Sequence, residues 1–182
     1  MKPPDFDKTR KKYHRPVSRR LATAYLALIA FAALAVVFGD RQIVINTSPS
    51  VSPGLNVRTT AAPAVGQLID FRIPAAAREY VRHRTGNDGQ DWYIIKPIVA
   101  GPGDVVDTVG SNLLINGAII GPMPPAIDAY GRALPRWSAR RVLGSEEFFV
   151  YSGRIPNSFD SRCYGPVHRN EIAAVRRPIL TW

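Results

Sequence analysis

Lysine is distributed unevenly along this 182-residue chain. Four lysines lie within the first 12 residues, whereas residues 39–182 contain fifteen arginines and a single lysine, Lys96. A lysine desolvated by apolar neighbours can lose its proton and act as a general base, which an arginine cannot do. Lys96 lies in the apolar run Trp92–Val99, so it is a candidate base. The ordinary alternative is a solvated lysine on a surface strand.

A base needs a nucleophile, and the segment Asn46–Leu55 contains three serines, Ser48, Ser50 and Ser52. A serine hydroxyl becomes nucleophilic when a neighbouring base accepts its proton. Taken alone, however, the Ser, Pro and Gly content of this segment is typical of a turn-rich linker.

A third polar cluster, Asn157–Val167, contains Ser158, Asp160 and Arg162 ahead of a glycine. Its local interpretation is a β-turn held by side-chain hydrogen bonds to the backbone. None of the three segments is specific by itself.

Together and in this order, the three segments resemble the boxes of the serine/lysine signal-peptidase family, specifically its TraF-type conjugative-transfer branch. Asn46–Leu55 resembles the nucleophile box, which places the nucleophile at Ser50. Ile95–Asp104 resembles the lysine box, whose Pro-Gly-Asp ending is the most specific part, and it places the base at Lys96. Ser158–Gly165 resembles the third box.

The resemblance implies a mechanism of acyl transfer. Neutral Lys96 would take the proton of Ser50, whose oxygen attacks a peptide carbonyl to form an acyl-enzyme. The backbone N–H of Ser50 and the hydroxyl of Ser48 would form the oxyanion hole. Ser158 would hold the lysine amine by a hydrogen bond.

The third box also implies a supporting ion pair between Asp160 and Arg162. An acidic residue of this box is held important for activity in the TraF-type branch, so Asp160 is also a catalytic candidate. The other serines of the boxes, Ser52 and Ser161, have no implied role.

Two positions depart from the family pattern. Pro97 stands where a basic residue usually follows the lysine, and Cys163 stands where an aromatic residue is common. Neither change removes a reacting group, so both bear on local packing and substrate fit.

The chain has no pattern typical of a metal site. Its three histidines (His14, His83 and His168) and its one cysteine are scattered without ligand spacing. We expect no metal and no organic cofactor, and a single cysteine excludes a disulfide within the chain.

Short β-rich runs separated by turn signals predict the elements that position these residues. The predicted strands are Gln42–Asn46, Gln67–Ile73, Trp92–Val99, Val105–Val109, Leu113–Ile120, Glu147–Tyr151 and Ile172–Leu180. Asn116-Gly117 within the fifth run predicts a hairpin turn, and Pro74–Gly86 predicts the one clear helix. Residues 121–137 are Pro-rich and predicted to be loop. We therefore expect a mainly β fold, and the resemblance implies a signal-peptidase-like β-barrel or β-sandwich.

The net charge of +10 is concentrated at the start of the chain. Residues 1–20 contain eight basic and two acidic residues, and they precede the uncharged apolar run Leu21–Phe38. As a helix, 18 residues extend about 27 Å against a hydrocarbon core of about 30 Å. A cleavable signal peptide is the alternative, since Ala33-Leu34-Ala35 has a small-x-small pattern, but such h-regions are about 7 to 15 residues long.

By the positive-inside rule, residues 1–20 are then a basic cytoplasmic tail, residues 21–38 a single transmembrane anchor, and residues 39–182 the exported catalytic domain. This predicts a protein of the inner membrane with its N-terminus in the cytoplasm and its domain in the periplasm. The basic tail needs no nucleic-acid partner to explain it.

The resemblance implies a membrane-anchored endopeptidase or transpeptidase that trims, and cyclises head to tail, a conjugative pilin precursor in plasmid transfer. Partners would be that precursor or another exported protein, the inner membrane and other proteins of the conjugation channel. Two alternatives remain open. One is a general signal peptidase, although Val51 and Ser52-Pro53-Gly54 depart from its nucleophile box. The other is a non-catalytic envelope subunit.

Overall fold

The structure, a computed structural model, describes residues 19–38, 42–87, 89–128 and 130–182. The chain divides into two units, residues 1–40 and 41–182. In the first, helix α1 spans Arg19–Phe38, and its described side chains, residues 21–33, are exposed. Over the described residues, no helix is both long enough and apolar enough to cross a membrane. The anchor stays a prediction, and residues 1–18 of the tail lie outside the described residues.

The second unit consists mainly of short strands. Its strands are β1 Ile43–Asn46, β2 Gly54–Thr59, β3 Leu68–Arg72, β4 Tyr93–Ala100, β5 Val105–Val109, β6 Asn112–Ile115, β7 Ala118–Pro122, β8 Arg141–Val142, β9 Glu147–Val150, β10 Val167–His168 and β11 Ile172–Thr181. Two α-helices, α2 Ala75–Thr85 and α3 Ser161–Tyr164, and a 3-10 turn at Arg169–Glu171 complete the secondary structure of its described residues.

The strands form two open antiparallel sheets. The larger has the order β1-β2-β11-β3-β4-β9-β10, and the smaller has the order β7-β6-β5-β8. The mainly β prediction is confirmed, but the closed barrel is wrong. Closure requires the two outer strands of a sheet to pair with each other, whereas β1 pairs with β2 and the two-residue β10 pairs with β9.

The predicted hairpin is present between β6 and β7. Asn116 has φ 52° and Gly117 has φ 83°, the left-handed conformation that such a two-residue turn needs at both positions. The Asn116 amide also accepts from the N–H of Val105 and donates to Asp104, both at 2.8 Å. The turn is thereby tied to the start of β5.

The predicted helix is α2. It follows Pro74 and ends at Gly86, whose left-handed backbone (φ 75°) lets its N–H bond the carbonyl of Arg82. Ala77 and Val81, one turn apart, are its buried residues. Through them α2 packs against the core beside the larger sheet.

Buried side chains form two clusters, one for each sheet. The first joins β3, β4, β9 and α2 through residues such as Phe71, Ile98 and Val150. The second lies under the smaller sheet and includes Val106 and Leu113. The long strand β4 contributes Ile98 to the first cluster and Ala100 to the second, so the segment that carries Lys96 is held by both cores.

Candidate active site

Ser50 lies in the loop between β1 and β2, and Asn46 holds this loop in shape. Asn46 is the last residue of β1 and is buried. Its amide nitrogen lies 3.1–3.2 Å from the carbonyl oxygens of Ser48, Val51 and Ser52, and its side-chain oxygen accepts from the N–H of Ser48 at 3.1 Å. An asparagine can do this because it carries both donors and an acceptor. The loop is thus fixed on both sides of Ser50.

Lys96 lies within β4, where it pairs with Ile69 of β3, and its side chain is only 4% exposed. Its Nζ is hydrogen-bonded to Ser50 Oγ. The same nitrogen donates to Ser158 Oγ at 3.1 Å. Three residues from three distant segments therefore meet at one buried amine.

Burial lowers the pKa of Lys96 to about 8, because a charged amine is poorly solvated there. The negative charge of Asp160 opposes this shift in the pKa, whereas the positive charge of Arg162 adds to it. Near neutral pH an appreciable fraction of the amine is unprotonated. A neutral amine beside Ser50 Oγ can accept the hydroxyl proton.

Ser48 lies next to the hydroxyl of Ser50. Its Oγ is 2.9 Å from Ser50 Oγ, and it accepts weakly from the N–H of Ser50 at 3.5 Å. Ser48 is exposed whereas Ser50 is buried. The Ser48 hydroxyl and the Ser50 N–H are therefore two neighbouring donors at the mouth of the site.

Asp160 and Arg162 form a fully buried ion pair. Two nitrogens of the guanidinium donate to the two carboxylate oxygens at 2.8 and 2.9 Å. The same guanidinium donates to the carbonyl oxygens of Ser158 at 3.3 Å and of Pro122 at 2.7 Å, and it lies over the ring of Tyr151. Arg162 thus ties the Ser158 loop to the end of β7 in the smaller sheet.

The structure brings the candidate residues together in two groups. Ser50, Lys96 and Ser158 are in direct contact, with Ser48 alongside. The hydrogen bonds described for the Asp160 carboxylate go to Arg162 and to the backbone N–H of Ser152 instead. Asp160 therefore lies behind the contact of Ser50, Lys96 and Ser158.

Ser152 belongs to the site and no sequence pattern pointed to it. It follows β9, is 3% exposed, and donates through its hydroxyl to the carbonyl oxygen of Ser50. Its contact with Ser50 joins positions 102 residues apart. Only its closeness in sequence to the third box could have drawn attention to it.

The two departures from the family pattern are accommodated by packing. Cys163 is buried in the first core cluster, and burial raises the pKa of its thiol to about 12, so it stays protonated. Pro97 is half-buried, and its carbonyl accepts from the N–H of Tyr151 at 3.2 Å. Neither side chain takes part in the hydrogen bonds around Ser50.

Ser50 lines two cavities. One, of about 490 Å³, is lined by β1, by the first residues of β4, and by Ser48 and Asp70. The other, of about 290 Å³, is lined by Ser152, Arg154 and Thr181 among others. Both are large enough for several side chains, so each offers space for part of a peptide beside Ser50. Among the described residues, no three His, Cys, Asp or Glu side chains form a metal-binding group.

Comparison with known proteins agrees with this geometry. The chain matches the profile of signal peptidase, peptidase S26, over residues 18–181. It is 33% identical to a plasmid transfer protein TraF from Escherichia coli, over 88% of this chain and 96% of that one. A second Escherichia coli plasmid transfer protein TraF is 29% identical over 91% of this chain and 96% of its own length.

Two further proteins are more distant. A conjugal transfer protein TraF from Agrobacterium fabrum is 27% identical, over 92% of this chain and 97% of that one. The crystal structure of a signal peptidase I from Enterococcus faecalis is 18% identical, with a TM-score of 0.38, over 64% of this chain and 98% of that one. Since the family profile covers nearly the whole chain, the protein belongs to the signal peptidase family, peptidase S26.

Proposed function

We propose that the chain is a Ser/Lys endopeptidase and transpeptidase that matures a pilin precursor during conjugative transfer. The observation that carries this proposal is the contact of the buried Lys96 amine with the Oγ of Ser50, a residue that lines two cavities. The names of the relatives, which are plasmid and conjugal transfer proteins, support the conjugative context.

In the first step, Ser50 Oγ attacks the carbonyl carbon of the scissile peptide while Lys96 accepts its proton. The Oγ–C bond forms, the C–N bond breaks, and the proton passes from Lys96 to the departing amine. Ser158 holds the amine of Lys96 in place during both transfers. The product is an acyl-enzyme, which divides one difficult step into two easier ones.

The oxyanion that forms during this attack needs donors. The backbone N–H of Ser50 and the hydroxyl of Ser48 are the two nearest groups of the right kind. Ser48 would turn its hydroxyl from Ser50 towards the oxyanion. The loss of one such donor typically lowers the rate about 100- to 1,000-fold.

The acyl-enzyme is then resolved by an acceptor. Water gives hydrolysis, whereas an amine held in the second cavity gives a new peptide bond and returns the proton to Ser50. If that amine is the N-terminus of the same subunit, the product is a head-to-tail cyclic pilin. The presence of two separate cavities at Ser50 supports acyl transfer to a bound acceptor.

The proposal includes a location. Residues 1–20 face the cytoplasm, residues 21–38 anchor the chain in the inner membrane, and residues 39–182 lie in the periplasm with an exported precursor as substrate. The support is the uncharged run after a basic tail.

The intact mass of a candidate pilin subunit, coexpressed with this protein, tests the function. We expect a processed subunit that is one water lighter than the corresponding linear fragment. Ser50→Ala should abolish processing, whereas Ser138→Ala, the same change at an exposed serine, should leave it intact.

The other outcomes have distinct meanings. A linear product that depends on Ser50 would support the peptidase assignment and exclude cyclisation. Cleavage of unrelated exported precursors in place of pilin would favour a general signal peptidase. Processing by the Ser50→Ala variant would overturn the assignment of the nucleophile.

A further inference from the structure

Ser152 links the backbone of the nucleophile to the buried carboxylate of Asp160. Its hydroxyl donates to the carbonyl oxygen of Ser50, and its backbone N–H donates to Asp160 Oδ2 at 3.3 Å. Ser152 is itself 3% exposed, so both hydrogen bonds are formed away from water. In such surroundings a hydrogen bond is stronger and its loss more costly than at a surface.

The far end of this link is held by several hydrogen bonds. Asp160 is held by two hydrogen bonds from the Arg162 guanidinium. Arg162 in turn donates to the carbonyls of Ser158 and Pro122, in two different parts of the fold. The path from Arg162 through Asp160 and Ser152 to Ser50 is therefore anchored in the loop of Ser158 and at the end of β7.

At the near end, the hydrogen bond from the Ser152 hydroxyl restrains the backbone at Ser50. Asn46 already holds the carbonyl of Ser48, two residues before Ser50, and that of Val51, directly after it. Ser152 holds the carbonyl of Ser50 itself. With this carbonyl held, the peptide plane that follows Ser50 is fixed, which restricts the directions from which Oγ can approach Lys96.

We propose that Ser152 is a positioning residue for the nucleophile, and that Asp160 acts on catalysis through Ser152 without touching the reacting atoms. This inference rests on the proposed function, since it assumes that Ser50 is acylated. It gives a physical route by which an acid behind the site influences the rate.

Ser152→Ala isolates the link, because it removes the hydroxyl and leaves the backbone N–H that binds Asp160. The probe is a β-lactam acylating reagent, and the readout is the mass of the Ser50 adduct against time at several probe concentrations. We expect the limiting acylation rate to fall about 10- to 100-fold, since small misplacements of a reacting group have effects of this size. The probe concentration for half-maximal rate should change less than about threefold, because Ser152 positions Ser50 without binding the probe.

Ser161→Ala is the matched control. Ser161 is as deeply buried as Ser152, but its hydroxyl accepts from the N–H of Val150 and does not contact the Ser50 loop. We expect it to lower the melting temperature without changing the limiting acylation rate of the folded protein. The pH midpoint of acylation should be the same in Ser152→Ala as in the unchanged chain, because Lys96 keeps its contacts.

A double-mutant cycle with Asp160→Asn tests the route from the acid. Rates are compared at alkaline pH, where Lys96 is neutral in every variant. The effect of the Asp160 charge on the pKa of Lys96 then does not alter the rates. As a single change, Asp160→Asn should slow acylation, but it should have little further effect in the Ser152→Ala background. Fully additive effects would overturn the route through Ser152.

The remaining outcomes separate this inference from the proposed function. If the unchanged chain is acylated and Ser152→Ala is acylated at the same rate, the positioning role is overturned but the proposed function is retained. Absence of any Ser50 adduct in the unchanged chain would overturn the proposed function and the positioning role with it. Melting curves for each variant restrict the comparison to folded protein.

Discussion

At the scale of single residues, the proposed mechanism makes the activation of Ser50 depend on the protonation state of Lys96. Burial lowers the pKa of this amine to about 8, so below that pH its neutral fraction falls about tenfold for each pH unit. We expect the acylation rate at low probe concentration to rise about tenfold per unit up to pH 8 and to level off above about pH 9. A pH series of the β-lactam adduct measures this profile.

Lys96→Arg provides the control, since a guanidinium remains protonated over the whole range. The variant should form no adduct at any pH. Cys163 does not titrate in this window, because burial raises the pKa of its thiol to about 12. A flat profile between pH 6 and 10 for the unchanged chain would exclude Lys96 as the base.

The same lysine should lower the stability of the folded domain at neutral pH. Its pKa is about 8 in the folded protein and 10.5 for a solvated lysine in the unfolded chain, so between these values the unfolded chain binds more protons and stability rises with pH. Below pH 8 the full penalty applies, and above about pH 10.5 it disappears. The lowered pKa corresponds to a penalty of about 3 kcal/mol, and Met also loses the hydrogen bonds of Lys96 at a cost of about 1 kcal/mol, so Lys96→Met should raise the free energy of unfolding at pH 7 by about 2 kcal/mol.

Thermal unfolding of the two proteins at pH 7 and pH 10.5 measures this effect. We expect the variant to melt several degrees higher at pH 7 and the difference to shrink at pH 10.5. A difference of the same size and sign at both pH values would mean that packing alone, and not the charge, distinguishes the side chains.

Sequence reasoning found the residues that meet at the lysine because each is marked by its type or by its box. Lys96 stands out as the one lysine after the apolar run, and Ser50 and Ser158 follow from the resemblance. Ser152 could not be found in this way, since its partner lies 102 positions away and a serine after a strand is unremarkable. The relation of Asp160 to the site was equally out of reach, because it depends on what Ser152 contacts.

At the scale of secondary structure, the close approach of two strands explains a glycine of the nucleophile box. Gly54 begins β2 opposite Thr181 of β11, with φ +156°. A Cβ at Gly54 would lie 2.1 Å from the carbonyl oxygen of Leu180, a backbone atom that cannot rotate away. Gly54→Ala should lower stability by about 3 kcal/mol and slow acylation, because the Ser50 loop runs directly into β2.

Gly101→Ala is the control for this change. Gly101 lies in the lysine box, but the nearest atoms to an added Cβ there are 3.8 Å away, an ordinary contact. Melting temperature and acylation rate of the two variants give the comparison. Equal effects would show that the approach of β11 does not limit position 54.

The seven predicted strands and the predicted helix are confirmed because each has its own local signal, of which the Asn116-Gly117 turn is the clearest. Strand β2 was missed, since its residues Gly54–Thr59 continue a segment whose Ser, Pro and Gly content indicates turns. Its strand conformation comes from pairing with β1 and β11, two strands that lie far apart from each other in sequence. The same applies to β8 and β10, which are two residues long and exist only through their partners.

At the scale of the whole molecule, the arrangement of the two sheets was not predictable from local patterns. Whether sheets close into a barrel depends on pairing between their outer strands, and no residue pattern in β1 or β10 indicates their neighbours. The contact of Arg162 with the carbonyl of Pro122 likewise depends on how the sheets are arranged, so local patterns do not predict it. It joins the third box to the smaller sheet, so the site depends on both sheets being in place.

The proposed topology of the whole chain leads to the last prediction. Eight basic residues precede the uncharged run Leu21–Phe38, and positive charge resists export. In spheroplasts carrying the full chain with a tag at each end, external protease should remove the C-terminal tag and leave the N-terminal tag protected. Alkaline extraction should leave the tagged protein with the membrane. Two results would contradict the anchor: digestion of both tags in intact spheroplasts, or a soluble periplasmic form that lacks about the first 35 residues. The second would show that Ala33-Leu34-Ala35 is cleaved as a signal peptide, and the catalytic unit would then meet its precursor without being tethered beside it.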